Sequence, residues 1–414
     1  SVLKNWGGNL NYQSAEILAP SSLDELGEVI KSGKVRPIGT RHSFSNVAIG
    51  QGKLVSAAGL GFDPVIDTEH STVTVSAATR FGDLAVFLQK NDLALLNMGS
   101  LPHISIAGSA ATGTHGSGDD NKILSASLTA YSFLNAKGEL VTYRLGDENF
   151  EACQVALGAY GLWVSVTLSV VASYQVRQDI FLGIPWDVFY ENPKQLTGAG
   201  YSVSLFTRWA QPTIDQTWVK SKVSAGKPLE EIAGIRAESK SLIELAPGVG
   251  NNLTEQAGVP GPWLDRLPHF RLDAEPSAGN EIQTEYFVLR ENAVAAIKAL
   301  HEIGEQINSA LIISEIRTIA ADDAWLSMTQ RGDSVALHFT WINDTKKVDE
   351  LVDLVEKALE PFDPIPHWGK VHHFTKSRLE RVHPKLERAR GVYESLDPNG
   401  AFSSDYLISL GIRS

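Results

Sequence analysis

In the first 175 residues, apolar and polar side chains alternate over short stretches, which is the pattern of half-buried strands. Polar and glycine-containing clusters separate these stretches, and the turn sequence Asn135–Gly138 lies between two of them, which predicts a hairpin. The elements predicted in this way are strands at Val35–Ile38, Thr72–Ser76, Leu128–Leu134 and Leu140–Tyr143 and a short amphipathic helix at Asp83–Lys90. Short strands mixed with helices indicate an α+β arrangement.

From Ala152 to Val176 the chain carries no charged residue, which is long enough to suggest a membrane span. However, apolar and hydroxyl residues alternate from Val164 to Val170, with the period of a strand, and Gly158 and Gly161 interrupt any continuous helix. We therefore expect a short helix or turn followed by a buried strand, and no transmembrane segment.

Beyond about residue 175 the pattern changes. Prolines and glycines crowd the stretch Pro247–Pro276, which predicts a long irregular connection. The elements predicted after it are, in order, strand, helix, strand, strand and helix at Thr284–Val288, Glu291–Asn308, Leu311–Thr318, Val335–Trp341 and Lys347–Leu359. This order favours an antiparallel sheet covered by helices on one face. The tail His367–Ser414 is too short for a core of its own, so we expect it to return to the first part.

Composition narrows the class of function. A chain of 414 residues can hold two or three domains, and its net charge of −12 argues against a nucleic-acid partner and against an anionic membrane surface. A negatively charged protein of this kind does not repel a neutral, hydroxyl-rich small molecule. The single cysteine, Cys153, allows no intrachain disulfide and no multi-cysteine metal site, and it favours a cytoplasmic protein. The first residues, Ser1–Trp6, lack the apolar segment of a signal peptide.

The segment Ser105–Gly118 combines four glycines with hydroxyl side chains and predicts a phosphate-binding loop. Gly108 and Gly113 have the spacing of a P-loop, but Thr114 stands where that motif requires lysine, so a Walker A nucleotide triphosphatase is disfavoured. The alternative is a flexible surface turn. We expect His115 to act as a structural or phosphate-side donor rather than as a base.

A second polar turn, Ile38–Phe44, follows a predicted strand and presents His42 between hydroxyl residues. Two such turns in one domain suit a dinucleotide better than a single phosphate. Neither is a G-x-G-x-x-G segment that opens a βαβ unit, so a Rossmann domain, and with it an NAD-dependent dehydrogenase, is disfavoured.

Polar side chains also interrupt the apolar strands of the second half. Glu315 and Arg317 share one strand face, as do His338 and Thr340 on the next strand, which predicts the floor of a polyol pocket. The alternative is a structural salt bridge. Lys370 follows the rigid sequence Pro366–Gly369, which could place its ammonium near a ring system, although most lysines lie at the surface.

The remaining histidines predict no metal site. The pair His372–His373 lacks a third spaced ligand, and His269 is expected to pack against the proline-rich connection.

The two turns resemble the FAD-binding motifs of the vanillyl-alcohol-oxidase superfamily, and Leu157–Val164 is similar to a third such motif. Motifs along nearly the whole chain resemble the alditol oxidases of that superfamily: Asn97–His103, Glu315–Thr318, His338–Trp341 and His367–Lys370. The resemblance implies an α+β flavoprotein of two domains, with a non-Rossmann (PCMH-type) FAD-binding domain at 1–175, a substrate-binding cap domain at 176–370 with a mainly antiparallel sheet covered by helices, and a C-terminal segment at 371–414 that returns to the FAD domain.

The resemblance also implies a reaction and a set of site residues. Hydride would pass from the terminal CH–OH of an acyclic alditol, such as xylitol or sorbitol, to FAD bonded covalently to His42, and O₂ would be reduced to hydrogen peroxide. The implied cofactor residues are His42, Gly39, Thr40, Arg41, Ser43, Phe44, Ser100, Ser105, Gly108, Ser109, Thr112, Gly113, Thr114, His115, Gly161, Val164 and His367. The implied substrate residues are Ser100, Glu315, Arg317, His338, Thr340 and Lys370, of which Glu315, Arg317 and Lys370 are catalytic, with Lys370 favoured over Arg317 for the proton.

Two alternatives stay open at this point. One is a sugar-1,4-lactone oxidase or dehydrogenase of the same superfamily, and the other is a flavin-binding protein without turnover. We expect a monomer whose partners are the polyol and O₂.

Overall fold

The computed structural model describes residues 3–7, 9–12, 16–39, 52–61, 63–273 and 280–414. In its first part the strands are β1 (Ile17–Leu18), β2 (Val35–Pro37), β3 (Lys53–Val55), β4 (Val65–Asp67), β5 (Thr72–Ser76), β6 (Leu93–Ala94), β7 (Leu128–Leu134), β8 (Leu140–Arg144), β9 (Leu162–Ser169) and β10 (Val171–Ala172). The helices of this part are α1 (Leu23–Lys31), α2 (Phe81–Lys90), α3 (Ile106–Thr112) and α4 (Phe150–Gln154). Strands β1, β3 and β2 form a parallel sheet, and β4, β5, β9, β7 and β8 form an antiparallel one in that order.

One large antiparallel sheet dominates the second part. The strands of this part are β11 (Gln175–Pro185), β12 (Ser202–Thr207), β13 (Thr213–Lys222), β14 (Glu231–Ile232), β15 (Ile235–Arg236), β16 (Gly261–Pro262), β17 (Glu281–Leu289), β18 (Leu311–Ile319), β19 (Ser334–Ile342) and β20 (Ile365–Pro366). Eight of them pair in the order β16-β11-β13-β12-β18-β19-β17-β20, while β14 and β15 pair only with each other. Between Pro247 and Asp273 only β16 and a 3-10 turn at Trp263–Asp265 are regular, as the crowded prolines predict.

The two faces of this large sheet differ in chemistry because side chains alternate along each strand. One face carries the apolar residues of β17, β18 and β19, which pack in the same core as helices of this part. Those helices and the shorter ones nearby are α5 (Trp186–Glu191), α6 (Pro193–Thr197), α7 (Ala293–Glu302), α8 (Gly304–Asn308) and α9 (Thr345–Leu359). The opposite face is polar, and it is the face that the site uses.

Two sequence predictions need correction here. The first is the single helix at Glu291–Asn308, which the structure divides into a 3-10 turn at Arg290–Asn292 followed by α7 and α8. The division falls at Gly304, where an added Cβ would lie 2.2 Å from the carbonyl oxygen of Trp209. Since α8 begins against this carbonyl, a long-range contact sets the helix boundary.

The second correction concerns Ser105–Gly118, which is not simply a loop. Its first half forms α3, whose N-cap Ser105 accepts a hydrogen bond from the backbone N–H of Gly108 at 3.1 Å. Gly113 ends the helix with a φ of 71°, a left-handed conformation that favours glycine. The glycines therefore fit a tightly packed short helix and its end.

The C-terminal tail contains α10 (Lys376–Val382), α11 (Leu386–Leu396) and α12 (Asp405–Ser409) and contacts the first part of the chain. The hydroxyl of Tyr393 donates to the carbonyl of Ala152, and Arg413 donates to the carbonyl of Ala159 at 2.7 Å. Among the described residues, no helix has the length and apolar character needed to cross a bilayer.

Candidate active site

A cavity of about 1020 Å³ lies between the polar face of the large sheet and the first part of the chain. This volume is at the upper end of the ~300–1,000 Å³ typical of small-molecule sites, so there is room for more than a small substrate. The wall from the first part includes Ile38, Gly39, Ala57, Ser100, Ser105, Gly108, Thr112, Gly158 and Gly161, and the wall from the sheet includes Gln283, Glu285, Glu315, Arg317, His338 and Thr340.

Sheet register aligns the charged residues of that wall. Glu315 on β18 and Glu285 on β17 both lie opposite His338 on the intervening strand β19, so the three form one row. Gln283 lies opposite Thr340 one step along the same face. The strands are rigid and buried, so the row is held in place by the sheet's own hydrogen bonds.

Glu285 is the centre of the cluster and is fully buried. Its Oε1 lies 2.9 Å from Nε2 of His115, and its Oε2 accepts a hydrogen bond from Nη2 of Arg317 at 2.9 Å. Burial alone raises the pKa of Glu285, but His115 and Arg317 outweigh this and hold the pKa well below its usual range. Glu285 is therefore a carboxylate that balances the neighbouring cation.

Arg317 connects that carboxylate to the predicted substrate site. Its Nε lies 3.7 Å from Oε2 of Glu315, and its Nη1 donates to the hydroxyl of Ser100 at 3.4 Å. Burial lowers the pKa of Arg317, but Glu315 and Glu285 raise it further, so the guanidinium stays charged. Burial also raises the pKa of Glu315, whereas Arg317 and His269 lower it to a net value below the usual range.

Lys370 lines the same end of the cavity, and its ammonium donates a hydrogen bond to Oε1 of Gln283. Burial lowers the pKa of Lys370. It approaches from the segment after β20, where Nδ1 of His367 accepts a hydrogen bond from the N–H of Gly369 at 2.9 Å. Among the sequence-level alternatives for this lysine, an exposed surface position is therefore wrong.

The side chains of His115, Glu285 and His367 bring their ligand atoms within 4.8 Å of one another, close enough for a metal ion. However, Nη2 of Arg317 donates to Oε2 of Glu285 at 2.9 Å. A permanent cation bonded to one of the three ligands opposes a divalent ion. The charge balance of this cluster therefore suits an anion or a polar substrate better than a metal.

The wall opposite the sheet fits a large cofactor that approaches the backbone closely. Added Cβ atoms at Gly39 and Gly108 would lie 2.7 and 2.9 Å from Oγ of Ser105, and one at Gly161 would lie 2.7 Å from the carbonyl oxygen of Leu134. The protein's own atoms leave little room for a side chain at these positions, and the three glycines line the cavity, so the main chain itself forms this part of the wall. The glycine-lined wall, its hydroxyl groups and the cavity volume fit FAD.

The structure brings most of the predicted site residues to this cavity. Those that line it are Gly39, Ser100, Ser105, Gly108, Thr112, Thr114, His115, Gly161, Glu315, Arg317, His338, Thr340, His367 and Lys370. Ser109, Gly113 and Val164 do not line it, because Gly113 is the C-cap of α3 and Val164 packs in a core cluster of the first part. Thr40, Arg41, His42, Ser43 and Phe44, and with them the predicted covalent attachment, lie outside the described residues.

Sequence reasoning missed four residues of the site. Gln283 and Glu285 lie on the same face of β17, separated by the polar Thr284, so the sequence shows no clear apolar alternation there. The predicted strand Thr284–Val288 included Glu285 without assigning it a role and left out Gln283. His269 was predicted to pack against the proline-rich connection, and its carbonyl does accept a hydrogen bond there from the N–H of Thr254 at 2.9 Å. What the prediction missed is that its Nε2 lies 2.7 Å from Oε2 of Glu315. Lys220 lies behind it, and a single lysine in a strand carries no sequence signal.

Comparison with known proteins places this fold in a class. Residues 15–144 match the FAD binding domain family, and residues 280–410 match the D-arabinono-1,4-lactone oxidase family. Two solved cholesterol oxidases share the fold: that of B. sterolicum, with a TM-score of 0.78 at 16% identity over 99% of this chain and 96% of its own, and a solvent-stable enzyme, with a TM-score of 0.80 at 18% identity over 99% and 97%. The fold is that of FAD-dependent oxidoreductases of the vanillyl-alcohol-oxidase type.

Full-length relatives narrow the class. The alditol oxidase of Streptomyces sp. (strain IKD472 / FERM P-14339) is 37% identical over 99% of this chain and 99% of its own. The L-gulono-1,4-lactone dehydrogenase of Mycobacterium tuberculosis is more distant, at 26% identity over 98% of each chain. The chain belongs to the alditol oxidase family.

Proposed function

We propose that the protein is an FAD-dependent alditol oxidase that oxidises the terminal CH–OH of an acyclic polyol to the aldose and reduces O₂ to hydrogen peroxide. The observation that carries this proposal is a cavity that has a glycine-lined wall on one side and the row of Glu315, His338 and Glu285 on the other. A polyol offers only hydroxyl groups, and charged partners bind hydroxyl groups strongly.

FAD would supply the redox chemistry when bound, as the acceptor of hydride from the alditol carbon and the donor of electrons to O₂. Gly39, Ser105 and Gly108 would hold its diphosphate side, with Gly161 at a neighbouring part of the wall. The covalent bond through His42 remains a proposal from the resemblance alone.

Side chains of the protein would activate the substrate hydroxyl, accept its proton and bind the remaining hydroxyl groups. Arg317 stays charged beside Ser100 and Glu315, where it lowers the effective pKa of a substrate hydroxyl. Since a permanent cation cannot accept a proton, we assign the proton to Nζ of Lys370, whose pKa burial lowers toward the neutral amine. Thr340, Ser100 and Glu315 hold the remaining hydroxyl groups, and a substrate lacking one of these would leave a buried polar group unpaired.

We propose three functional parts in chain order: an FAD-binding part at 1–175, a substrate-binding part at 176–370, and a C-terminal tail at 371–414 that returns to the FAD-binding part. The large sheet begins at Gln175 and its last strand ends at Pro366, which supports these boundaries. We also propose a cytoplasmic monomer whose partners are the polyol and O₂. The single cysteine supports the compartment, and the net charge of −12 supports a neutral small-molecule partner over a nucleic acid.

The test is a visible absorption spectrum of the purified protein. We expect flavin absorbance that bleaches under anaerobic conditions when xylitol is added, with hydrogen peroxide released when air is readmitted. After acid precipitation the yellow colour is expected in the pellet. A yellow supernatant with a colourless pellet would exclude the covalent bond, and flavin absorbance unaffected by any alditol would exclude the reaction.

The second candidate is oxidation of a sugar-1,4-lactone, which the family match at residues 280–410 favours. The same spectrum separates the two. Bleaching by a γ-lactone but not by xylitol would assign the lactone reaction, whereas bleaching by xylitol alone supports the alditol reaction.

A further inference from the structure

Behind Glu315 lies a chain of three buried side chains that the proposed reaction has not used. Nζ of Lys220 on β13 lies 2.9 Å from Nδ1 of His269, and Nε2 of the same imidazole lies 2.7 Å from Oε2 of Glu315. Lys220 also donates to the carbonyl of Leu267 at 2.6 Å. All three side chains are at least nine-tenths buried, so solvent does not compete for these bonds.

Two aromatic rings and a backbone hydrogen bond hold the imidazole in this orientation. The ring of Trp218 meets it edge-on with centroids 4.8 Å apart, and that of Phe206 does so at 5.7 Å. The backbone N–H of His269 donates to the carbonyl of Ser100 at 3.1 Å, which ties this residue to another wall of the cavity. The ring therefore has little freedom to turn away from Glu315.

The chemistry of the three groups fixes the direction of the chain. The ionised carboxylate of Glu315 can only accept, so Nε2 of His269 carries the proton and donates it, and Nδ1 of the neutral imidazole is left to accept from Lys220. Burial lowers the pKa of Lys220 to about 7, with Glu315 raising it and Arg317 lowering it. Burial, followed by Lys220, lowers the pKa of His269 to about 4, which keeps the imidazole neutral.

The other oxygen of Glu315 is left for a ligand. Within the described residues Oε1 has no hydrogen-bond partner, while Glu315 lines the cavity. An ionised carboxylate held at one oxygen presents the second in a fixed direction, which is what the recognition of a hydroxyl group requires.

We propose that Lys220 and His269 are positioning residues of the substrate site, which hold Glu315 as an oriented carboxylate whose Oε1 accepts a hydrogen bond from a substrate hydroxyl. The assignment of that hydroxyl to an alditol rests on the proposed function. The chain of three side chains itself does not.

The first test uses pairs of variants in the holoenzyme. His269→Phe keeps an aromatic ring but removes the donor to Glu315, and Lys220→Met removes the donor to His269. Each is expected to lower kcat/KM for xylitol by about tenfold or more. Lys220→Gln and His269→Gln restore a donor amide and are expected to recover part of that loss. Lys222→Met is the matched control, because Lys222 lies two residues along β13 and stacks on Tyr174 and Tyr201 instead.

A double-mutant cycle separates positioning from general structure. If His269 acts through Glu315, then His269→Phe should lower kcat/KM by less than about twofold in a Glu315→Gln background. Where turnover of these variants is too slow, the dissociation constant of xylitol, measured from the anaerobic flavin spectrum, replaces kcat/KM in the cycle. Equal effects of His269→Phe in both backgrounds would overturn the proposal.

The second test does not depend on turnover. Nitrogen NMR of isotope-labelled histidine, with His269→Gln to assign the signal, should find His269 neutral with its proton on Nε2, and Lys220→Met should change that signal. A proton on Nδ1 in the unsubstituted protein would overturn the proposal. Should no alditol bleach the flavin, the proposed function fails while this measurement still decides the chain of Lys220, His269 and Glu315.

Discussion

At the scale of single residues, Arg317 determines the charge balance of the site. It lies between two buried carboxylates, with Nη2 2.9 Å from Glu285 and Nε 3.7 Å from Glu315. An arginine can contact both at once because its donors diverge from one planar group. Its effect therefore depends on shape as well as on charge.

We predict that Arg317→Lys lowers kcat/KM for xylitol by about tenfold to a hundredfold while the protein stays yellow. Lysine keeps the charge but presents a single ammonium, so it cannot serve both carboxylates and Ser100. Steady-state oxygen consumption measures the loss. Arg290→Lys is the matched control, because Arg290 pairs with Asp333 away from the cavity. Unchanged kcat/KM in Arg317→Lys would contradict the placement of the substrate.

Glu285 makes a prediction about stability and pH. Its pKa lies well below the usual value of 4.5 because His115 and Arg317 outweigh the effect of burial. A lowered carboxylate pKa contributes stability that is fully present above the unfolded-state pKa and is lost as pH falls toward the folded-state pKa. Glu285→Gln is therefore expected to lower Tm most at neutral pH, with the difference from the unsubstituted protein shrinking below about pH 4.5.

Calorimetry over a pH series measures this difference. The control is Glu28→Gln, because Glu28 and its partner Lys31, 3.1 Å away, are both exposed. An exposed pair contributes only about 0–1 kcal/mol, so a small effect is expected at every pH. A loss in Glu285→Gln that stays constant with pH would show that the charge of Glu285 is not the source of the stability.

At the scale of elements, the division between α7 and α8 depends on Gly304. An added Cβ would meet the carbonyl oxygen of Trp209 at 2.2 Å, so one of the two backbones must shift. We predict that Gly304→Ala lowers the free energy of unfolding by about 1–3 kcal/mol, as overpacking does elsewhere. Chemical denaturation measures the change.

The matched control for this prediction is Gly391→Ala. Gly391 lies inside α11, where an added Cβ meets nothing within 4 Å. Alanine is favoured over glycine in a helix interior by about 0.5–1 kcal/mol, so the control is expected to stabilise the protein. The two substitutions should therefore differ in sign, and a stabilising Gly304→Ala would refute the account of the helix boundary.

Sequence patterns predicted the elements whose side chains have a clear period, and missed those set by distant contacts. The strands β5, β7 and β9 follow from alternation, and the helix α9 follows from its amphipathic spacing. Helix α3 has no such period because it consists mostly of small residues, so it was predicted as a loop. The end of α7 depends on Trp209, about a hundred residues earlier in the chain.

The site residues that the sequence predicted are likewise those with a local pattern, and the ones it missed depend on distant contacts. Glu315, Arg317, His338 and Thr340 are polar exceptions in apolar strands, and the sheet brings them to one cavity. Lys220 and His269 are separated from their partners by 49 and 46 positions in the sequence, and neither stands in a motif. Such a chain of hydrogen bonds appears only when the tertiary structure brings β13 and the proline-rich connection together.

At the scale of the whole molecule, the C-terminal tail holds the cofactor side of the cavity. Asp397 is buried, pairs with Arg413 at 2.7 Å and accepts hydrogen bonds from the N–H groups of Ala401 and Phe402. The carbonyl of Phe402 accepts in turn from Arg36 on β2, whose other Nη donates to the carbonyl of Leu157 at 3.0 Å. The tail thus fixes two segments that line the cavity.

We predict that Asp397→Ala lowers both Tm and the flavin content of the purified protein. It leaves the Arg413 guanidinium buried without its carboxylate, a change that typically costs about 3–5 kcal/mol. Because Leu157 and Pro37 line the cavity, loosening of the tail should reach the cofactor wall as well. Calorimetry and the ratio of flavin to protein absorbance measure the two effects.

Asp405→Ala is the control, because Asp405 is exposed at the first position of α12 and its loss should change stability by no more than about 0.5 kcal/mol. A lower Tm with full flavin content in Asp397→Ala would mean that the tail stabilises only its own surroundings. A loss of flavin together with Tm, and in Asp397→Ala alone, would mean that the last residues of the chain and the first strands form one cooperative unit around the cofactor.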